Sequence, residues 1–168
     1  MPQHHLAQAN IARMRAPIEH PSMESFRVQL ESINRLADES PGFVWRLQTE
    51  VGDATGVRAF EDERILFNMS VWESVRALHA YTYLGAHAGV LRARRAWFDP
   101  PSGPGLVLWW IPAGSLPSVE DAKARLQLLA ERGPSARAFT FRQVFPPPGE
   151  DSVEAPEVAA EFCGDGRA

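Results

Sequence analysis

In the run FNMSVWES, residues 67–74, Asn68, Ser70 and Trp72 alternate with Phe67, Met69 and Val71. A period of two marks a strand with two unlike faces. One face here is apolar. The other offers an amide, a hydroxyl and an indole, groups that orient an organic ligand by hydrogen bonding and stacking. The same parity, applied to neighbouring strands, brings Gln8, Asn10, Arg46, Gln48, Thr140 and Arg142 to that face, among Leu6, Val44, Leu66 and Val144. The opposite set holds Ala7, Ala9, Ile11, Phe43, Trp45, Leu47, Phe67, Met69, Val71, Phe139 and Phe141, and is expected to receive the helices. Solvated sheet faces favour Lys, Glu and Thr. Amides and arginines set among apolar residues suit a partly buried cavity better, although a wet subunit interface has a similar make-up.

His87 heads a helical stripe with Val90, Leu91, Arg94 and Trp97 and is expected to point inward. An imidazole there serves as general base, ligand donor or axial haem ligand; a histidine bonded to a backbone carbonyl satisfies the same pattern. His79 falls on a helix flank, and His4 and His5 open the first strand. Trp109 and Trp110 must face opposite ways, and parity favours Trp109 as the second aromatic wall beside Trp72. Arg46 and Arg142 could hold a carboxylate or stabilise an enolate or phenolate, or else pair with Glu50 or Glu73.

Other chemistries find little support. The only cysteine, Cys163, has no partner, so no disulfide framework exists. No G-x-S-x-G elbow, Walker lysine or dinucleotide glycine spacing occurs. Histidines 79 and 87 are eight apart across a glycine, which is no metal-binding helical spacing, so no metal site is expected. The net charge of -4 belongs to the C-terminal stretch: residues 146–168 hold six acidic residues against Arg167, leaving residues 1–145 near neutral. A nucleic-acid surface would need a basic patch that is not there. No apolar run reaches the ~18 residues of a membrane span, and the start MPQHHLAQAN is not a signal peptide, so a cytoplasmic protein is expected.

At 168 residues the chain fits one domain, 1–145, with an acidic Pro/Gly-rich tail, 146–168, expected to be disordered. Residues 5–13, 42–50, 64–72, 106–112 and 138–145 read as strands. Ser22 is expected to cap a helix carrying Met23, Phe26, Leu30, Ile33 and Ala37. Further helices follow from Glu73, over 87–98, and over 118–132, where Ser118 and Asp121 form a loose capping box. VGDATG (51–56) suggests a hairpin turn. The order β-α-β-β-α-α-β-α-β contains the split β-α-β, or ferredoxin-like, motif: an α+β antiparallel sheet with helices on one face.

The fragments HLAQANIAR, SPGFVWRLQTE, NMSVWESVRALHAY, HAGVLRARRAWF and LVLWWIPAG resemble an uncharacterised bacterial family of the dimeric α/β-barrel superfamily, to which the antibiotic-biosynthesis monooxygenases belong. The resemblance spans roughly residues 4–145. It implies a ferredoxin-like fold whose sheets pair in a homodimer, with a ligand cavity between sheet and helices or inside the barrel. In that superfamily a strand running into W-E-S and a helix, with a histidine one or two turns later, recurs; Trp72, Glu73, Ser74 and His79 or His87 stand at those places. The additional elements after residue 112 exceed the minimal unit.

The reading is a small-molecule enzyme, an oxygenase or cyclase/isomerase of a hydrophobic, aromatic or polyketide-like substrate. His87, Asn68 and Arg46 are the catalytic candidates. Trp72, Trp109, Ser70, Asn10, Gln8 and Arg142 are the binding candidates, and no cofactor is required. The alternatives are a non-catalytic ligand-binding or structural homodimer, and a haem protein with His87 as axial ligand.

Overall fold

The computed structural model describes residues 2–48, 58–85 and 87–151. The first strand, β1 (His4–Arg13), runs into a loop whose Pro17 and Pro21 end the ladder. Ser22 lies inside a 3-10 turn, Pro21–Met23, where its N–H donates to the His20 ring. Helix α1 (Glu24–Asp38) therefore begins at Met23 with no side-chain cap, and the expected capping by Ser22 is corrected.

Strand β2 (Phe43–Arg46) is shorter than the 42–50 expected, and β3 (Ile65–Trp72) matches its alternation closely. The hairpin turn over 51–56 lies outside the described residues. Helix α2 (Val75–Leu84) starts at Ser74, whose hydroxyl accepts from the Ala77 N–H at 3.1 Å. Helix α3 (His87–Ala93) gives way to a 3-10 turn, Arg94–Ala96, and strand β4 (Leu106–Pro112) follows. Helix α4 (Val119–Arg132) has both arms of the capping box between Ser118 and Asp121, and Gly133 in a left-handed conformation ends it.

The four strands form one antiparallel sheet in the order β2-β3-β1-β4, the arrangement of the split β-α-β motif. Its closing strand is 106–112. Residues 138–145, expected as the last strand, pair with the β4 backbone through a single bridge, Leu108 to Phe139, and form a further bridge within themselves, Thr140 to Gln143. The alternation of Phe139 and Phe141 reflects one ring buried against β4 and one partly buried beside His79 and Tyr83 of α2, not a ladder.

Both sheet faces are covered, and by different helices. Leu6, Trp72 and Leu108 pack with Ala37 of α1, with Val75 and Leu78 of α2, and with Phe139. At the other end of the same face, Leu66 and Met14 pack with Phe26 of α1 and Trp97. The opposite face, Ala7, Ala9, Phe67, Met69, Val71, Val107 and Trp109, meets Ala122, Leu126 and Leu129 of α4. Small alanines on β1 leave room there for the bulk of Phe67 and Trp109 on the flanking strands. On β1 and β3 the sets sharing a face were legible from parity, but the sides were exchanged: α1 and α2 cover the polar set, and α4 takes the apolar one. Phe139 and Phe141, expected with the apolar set, pack on the α1–α2 side.

One bulge alters the membership. Between Phe43 and Trp45 the β2 register slips, so Phe43 stands opposite Trp72 and Trp45 opposite Val71. Phe43 thus joins the α1–α2 face, while Val44 is pushed outward to 37% exposure. Gly42, with φ +79°, makes the turn from α1 possible. A Cβ there would fall 2.6 Å from that of Ala77, so only glycine lets the turn press against α2.

Candidate functional site

The site is built from three cross-strand rungs on the α1–α2 face. The first runs Phe43, Trp72, Leu6, Trp110, and is apolar. The second runs Arg46, Ser70, Gln8, Leu108. The third runs Asn68, Asn10, Leu106. Gln8 and Ser70 are each 6% exposed, whereas Asn68, two residues along the same strand, is exposed and Asn10 half-buried. An amide that reaches solvent from an interior strand, on the side its helices cover, marks a gap in that cover. The apolar clusters on either side of the rung close the rest of the face.

Beneath the gap the polar groups are tied together. Gln8 Nε2 donates to Ser70 Oγ at 2.9 Å, and Trp72 Nε1 donates to the same oxygen at 2.8 Å. Trp72 is fully buried, stacked on Tyr81 with ring centroids 5.0 Å apart and met edge-on by Phe43 at 5.4 Å. The Tyr81 hydroxyl donates to the Ile33 carbonyl at 3.3 Å, and burial pushes its ionisation well above the ordinary phenol range. Trp72 is therefore fixed as a wall rather than a mobile lid.

Arg46 shares this face but is occupied. Its Nε donates to Asp38 Oδ1 at 2.7 Å and its Nη2 to Oδ2 at 3.2 Å, a bidentate pair closing the turn after α1. Asp38 is a partner that the sequence reading did not consider; of the two it did, Glu50 lies outside the described residues. The Arg46 side chain keeps 13% of its surface exposed, and its charge is largely neutralised by the carboxylate beside it. The pairing braces the turn after α1 at the edge of the site.

Two expected site residues lie elsewhere. Trp109 is 1% exposed in the α4-side core, divided from Asn68 by the sheet. Trp110 takes the place parity had given to Trp109; its Nε1 donates to the Phe145 carbonyl at 2.8 Å. Arg142 is exposed in the turn after Phe141, because 138–145 is no strand. His87 opens α3, as expected, and its side chain lies outside the described residues.

Sequence reasoning missed Tyr81 and Asp38. Tyr81 falls on the stripe Val75, Leu78, Tyr81 at helical spacing, but Thr82, whose hydroxyl bonds back to Leu78 O, was read in its stead. Asp38 and Arg46 are opposite charges flanking a tight turn, a signal available in SPGF. It also passed over the aromatic patch of His79, Tyr83 and Phe141, with ring centroids 4.8 to 5.6 Å apart. Burial there lowers the His79 ionisation and raises that of Tyr83, the latter opposed by Arg94 and Arg142. A separate groove of about 470 Å³ runs between the end of α1 and α2, lined by Leu36, Gly42, Ala77, Ala80 and Leu84. It is open, and Ser40, Glu73, Ser74 and Arg76 also line it, whereas the amide rung lies on the sheet beside the buried Gln8–Ser70–Trp72 network. Among the described residues no group of three His, Cys, Asp or Glu is placed to hold a metal ion, and no helix is long and apolar enough to cross a membrane.

Strand order, helix placement and polar rungs define an α+β domain of ferredoxin-like architecture, carrying a partly open polar site between the sheet and its helices. Residues 5–155 match the family model described as a domain of unknown function (DUF3291), and the chain belongs to that family. No curated protein matches the sequence. Among solved structures, similarity extends to a point mutant of SnoaB from Streptomyces nogalater, described as a cofactor-independent oxygenase. It is 13% identical with a TM-score of 0.44, over 68% of this chain and 97% of that one. The NE2512 protein of unknown function from Nitrosomonas europaea is similar at 18% identity and TM-score 0.44, over 69% and 97% of the two chains. PA3566 from Pseudomonas aeruginosa is similar at 13% identity and TM-score 0.43, over 68% and 98%.

Proposed function

We propose that the chain binds a planar, mostly apolar small molecule carrying an oxygen function in the gap above the Asn68–Asn10 rung, and converts it as an oxygenase or a cyclase/isomerase. The observation that carries this is the exposure of Asn68 on an interior strand beside the buried Gln8–Ser70–Trp72 network. Apolar clusters on both sides of the rung suit the body of such a molecule, and the amides suit its oxygen.

In the oxygenase form, a base removes a proton from an activated CH2 next to an aromatic ketone, and amide N–H groups hold the resulting oxyanion. Oxygen reacts with the carbanion, placing one oxygen atom in the new carbonyl and leaving with the other as water. No metal or cofactor is needed for that balance. His87, at the head of α3, is the base to test first. Pairing of two copies is a separate proposal, because the rungs and the helices above them come from one chain.

The test is oxygen uptake with an anthrone as substrate, together with an absorption spectrum of the purified protein. Uptake that collapses in Asn68→Ala and in His87→Ala supports the oxygenase. If both variants bind and turn over like the unmodified protein, the assignment is lost. A Soret band near ~400 nm would select the haem reading with His87 as ligand instead.

A further inference from the structure

The Ser70 hydroxyl presents a bonding imbalance. A serine oxygen has two lone pairs and one hydrogen to offer. Gln8 Nε2 and Trp72 Nε1 donate into it at 2.9 and 2.8 Å, which fills both lone pairs. The remaining valence is the hydrogen, and among the described residues no acceptor receives it. Buried polar hydrogens ordinarily find a partner.

The direction of that hydrogen is constrained. Gln8 lies across the ladder on β1, and Trp72 lies two residues onward along β3. Tetrahedral geometry about the oxygen then leaves the side toward Asn68 and the space above the sheet. Ser70 is buried at 6% exposure, two residues along β3 from the exposed Asn68. Two N–H groups donating into the oxygen also polarise its O–H bond and strengthen it as a donor. Turning the Gln8 amide over would make Ser70 donate to Gln8 Oε1 and leave the Gln8 NH2 with hydrogens to spare.

We infer that Ser70, braced by Gln8 and Trp72, is a preformed oxyanion donor, and that the gap therefore selects ligands presenting a phenolate, enolate or carbonyl oxygen at the Asn68 rung. The inference rests on ligand binding in that gap and adds the chemical class of the ligand. Trp72, an N–H donor without an acceptor, cannot reverse its part. An ammonium or amide N–H placed against Ser70 would meet its hydrogen and not a lone pair.

The probe is alizarin, 1,2-dihydroxyanthraquinone, a flat phenol whose colour reports its ionisation. Its phenol is titrated free and bound to the full chain. Bound to the unmodified protein, the dye is expected to ionise about one pH unit lower than when free, a tenfold preference for the phenolate. Ser70→Ala should still bind the dye but lose that preference, and Gln8→Met, similar in volume, should show part of the loss. Thermal melts confirm that each variant is folded. Should Ser70→Ala not fold, Ser70→Cys decides instead, because a thiol is a weak donor and the shift should shrink. A dye that binds with unchanged ionisation, or a shift as large in the Ser70 variant as in the parent, overturns the inference while leaving ligand binding in place. Failure of the unmodified protein to bind the dye overturns the reading of the gap and this inference with it.

Discussion

Trp109 and Asn68 stand on opposite faces of one sheet, and alanine at each should separate stability from ligand binding. Trp109 is 1% exposed against α4. An aromatic side chain of its kind removes about 150–250 Å² from water. At about 25 cal/mol per Å² that is about 4–6 kcal/mol, and after allowing for what alanine retains it agrees with the ~3–5 kcal/mol usual for Trp→Ala. Against a native stability of about 5–15 kcal/mol, the variant should remain folded in buffer. With a urea slope of about 2 kcal/mol/M, its midpoint should fall by about 2 M. Asn68 is exposed, and its side chain makes no hydrogen bond among the described residues, so Asn68→Ala should change stability by under about 0.5 kcal/mol. The assay is urea unfolding followed by far-ultraviolet circular dichroism, paired with alizarin binding in buffer free of urea. Trp109→Ala should bind nearly as the parent does, and Asn68→Ala should bind poorly with an unmoved midpoint. The opposite pattern, with Trp109→Ala stable but unable to bind, would refute the division of faces.

Two further outcomes follow from local geometry. Ser118→Ala removes the hydroxyl that accepts from Asp121 N at 3.1 Å and should cost about 1 kcal/mol in the same urea assay. The Ser118 N–H and hydroxyl hold the Asp121 carboxyl below its ordinary range. Its contribution is complete above about pH 4 and is lost as pH falls toward the lowered value, and the parent's acid slope should flatten in Ser118→Ala. His79 behaves in the opposite pH region: burial lowers its ionisation, so the folded chain binds that proton less readily than the unfolded one. Stability from neutral His79 is complete above about pH 6.5 and declines as pH falls below it, and His79→Phe should remove that part of the melting-temperature profile between about pH 7 and 5.

The strands and helices were legible because their periods differ: Phe67, Met69 and Val71 alternate by two, while Phe26, Leu30, Ile33 and Ala37 recur by three and four. Face membership on β1 and β3 was legible for the same reason, and the structure brings Gln8, Asn10, Asn68, Ser70, Trp72 and Arg46 to one side, where Phe43, Phe139 and Phe141 join them against parity. Periodicity does not say which helix covers a face, so the larger apolar set was given to α1 and α2 when α4 claims it. Trp109 and Trp110 were indistinguishable because LVLWWIP is apolar on both faces, and only the register opposite Ala7 and Leu6 separates them. Residues 138–145 imitate a strand because phenylalanines two apart, the buried Phe139 and the partly buried Phe141, look the same whether the backbone pairs or turns. The match to an uncharacterised domain family bears out the resemblance seen in the fragments.

The placement of α4 has a consequence for company. Its Ala122, Leu126 and Leu129 already occupy the surface that a second sheet would need, and Phe67, Val71 and Val107 beneath them are fully buried. Each leucine lifted away would forfeit about 1.5–3 kcal/mol before any new contact formed. A lone copy thus arrives with its own second layer attached, and a neighbour seeking that surface must first evict the tenant.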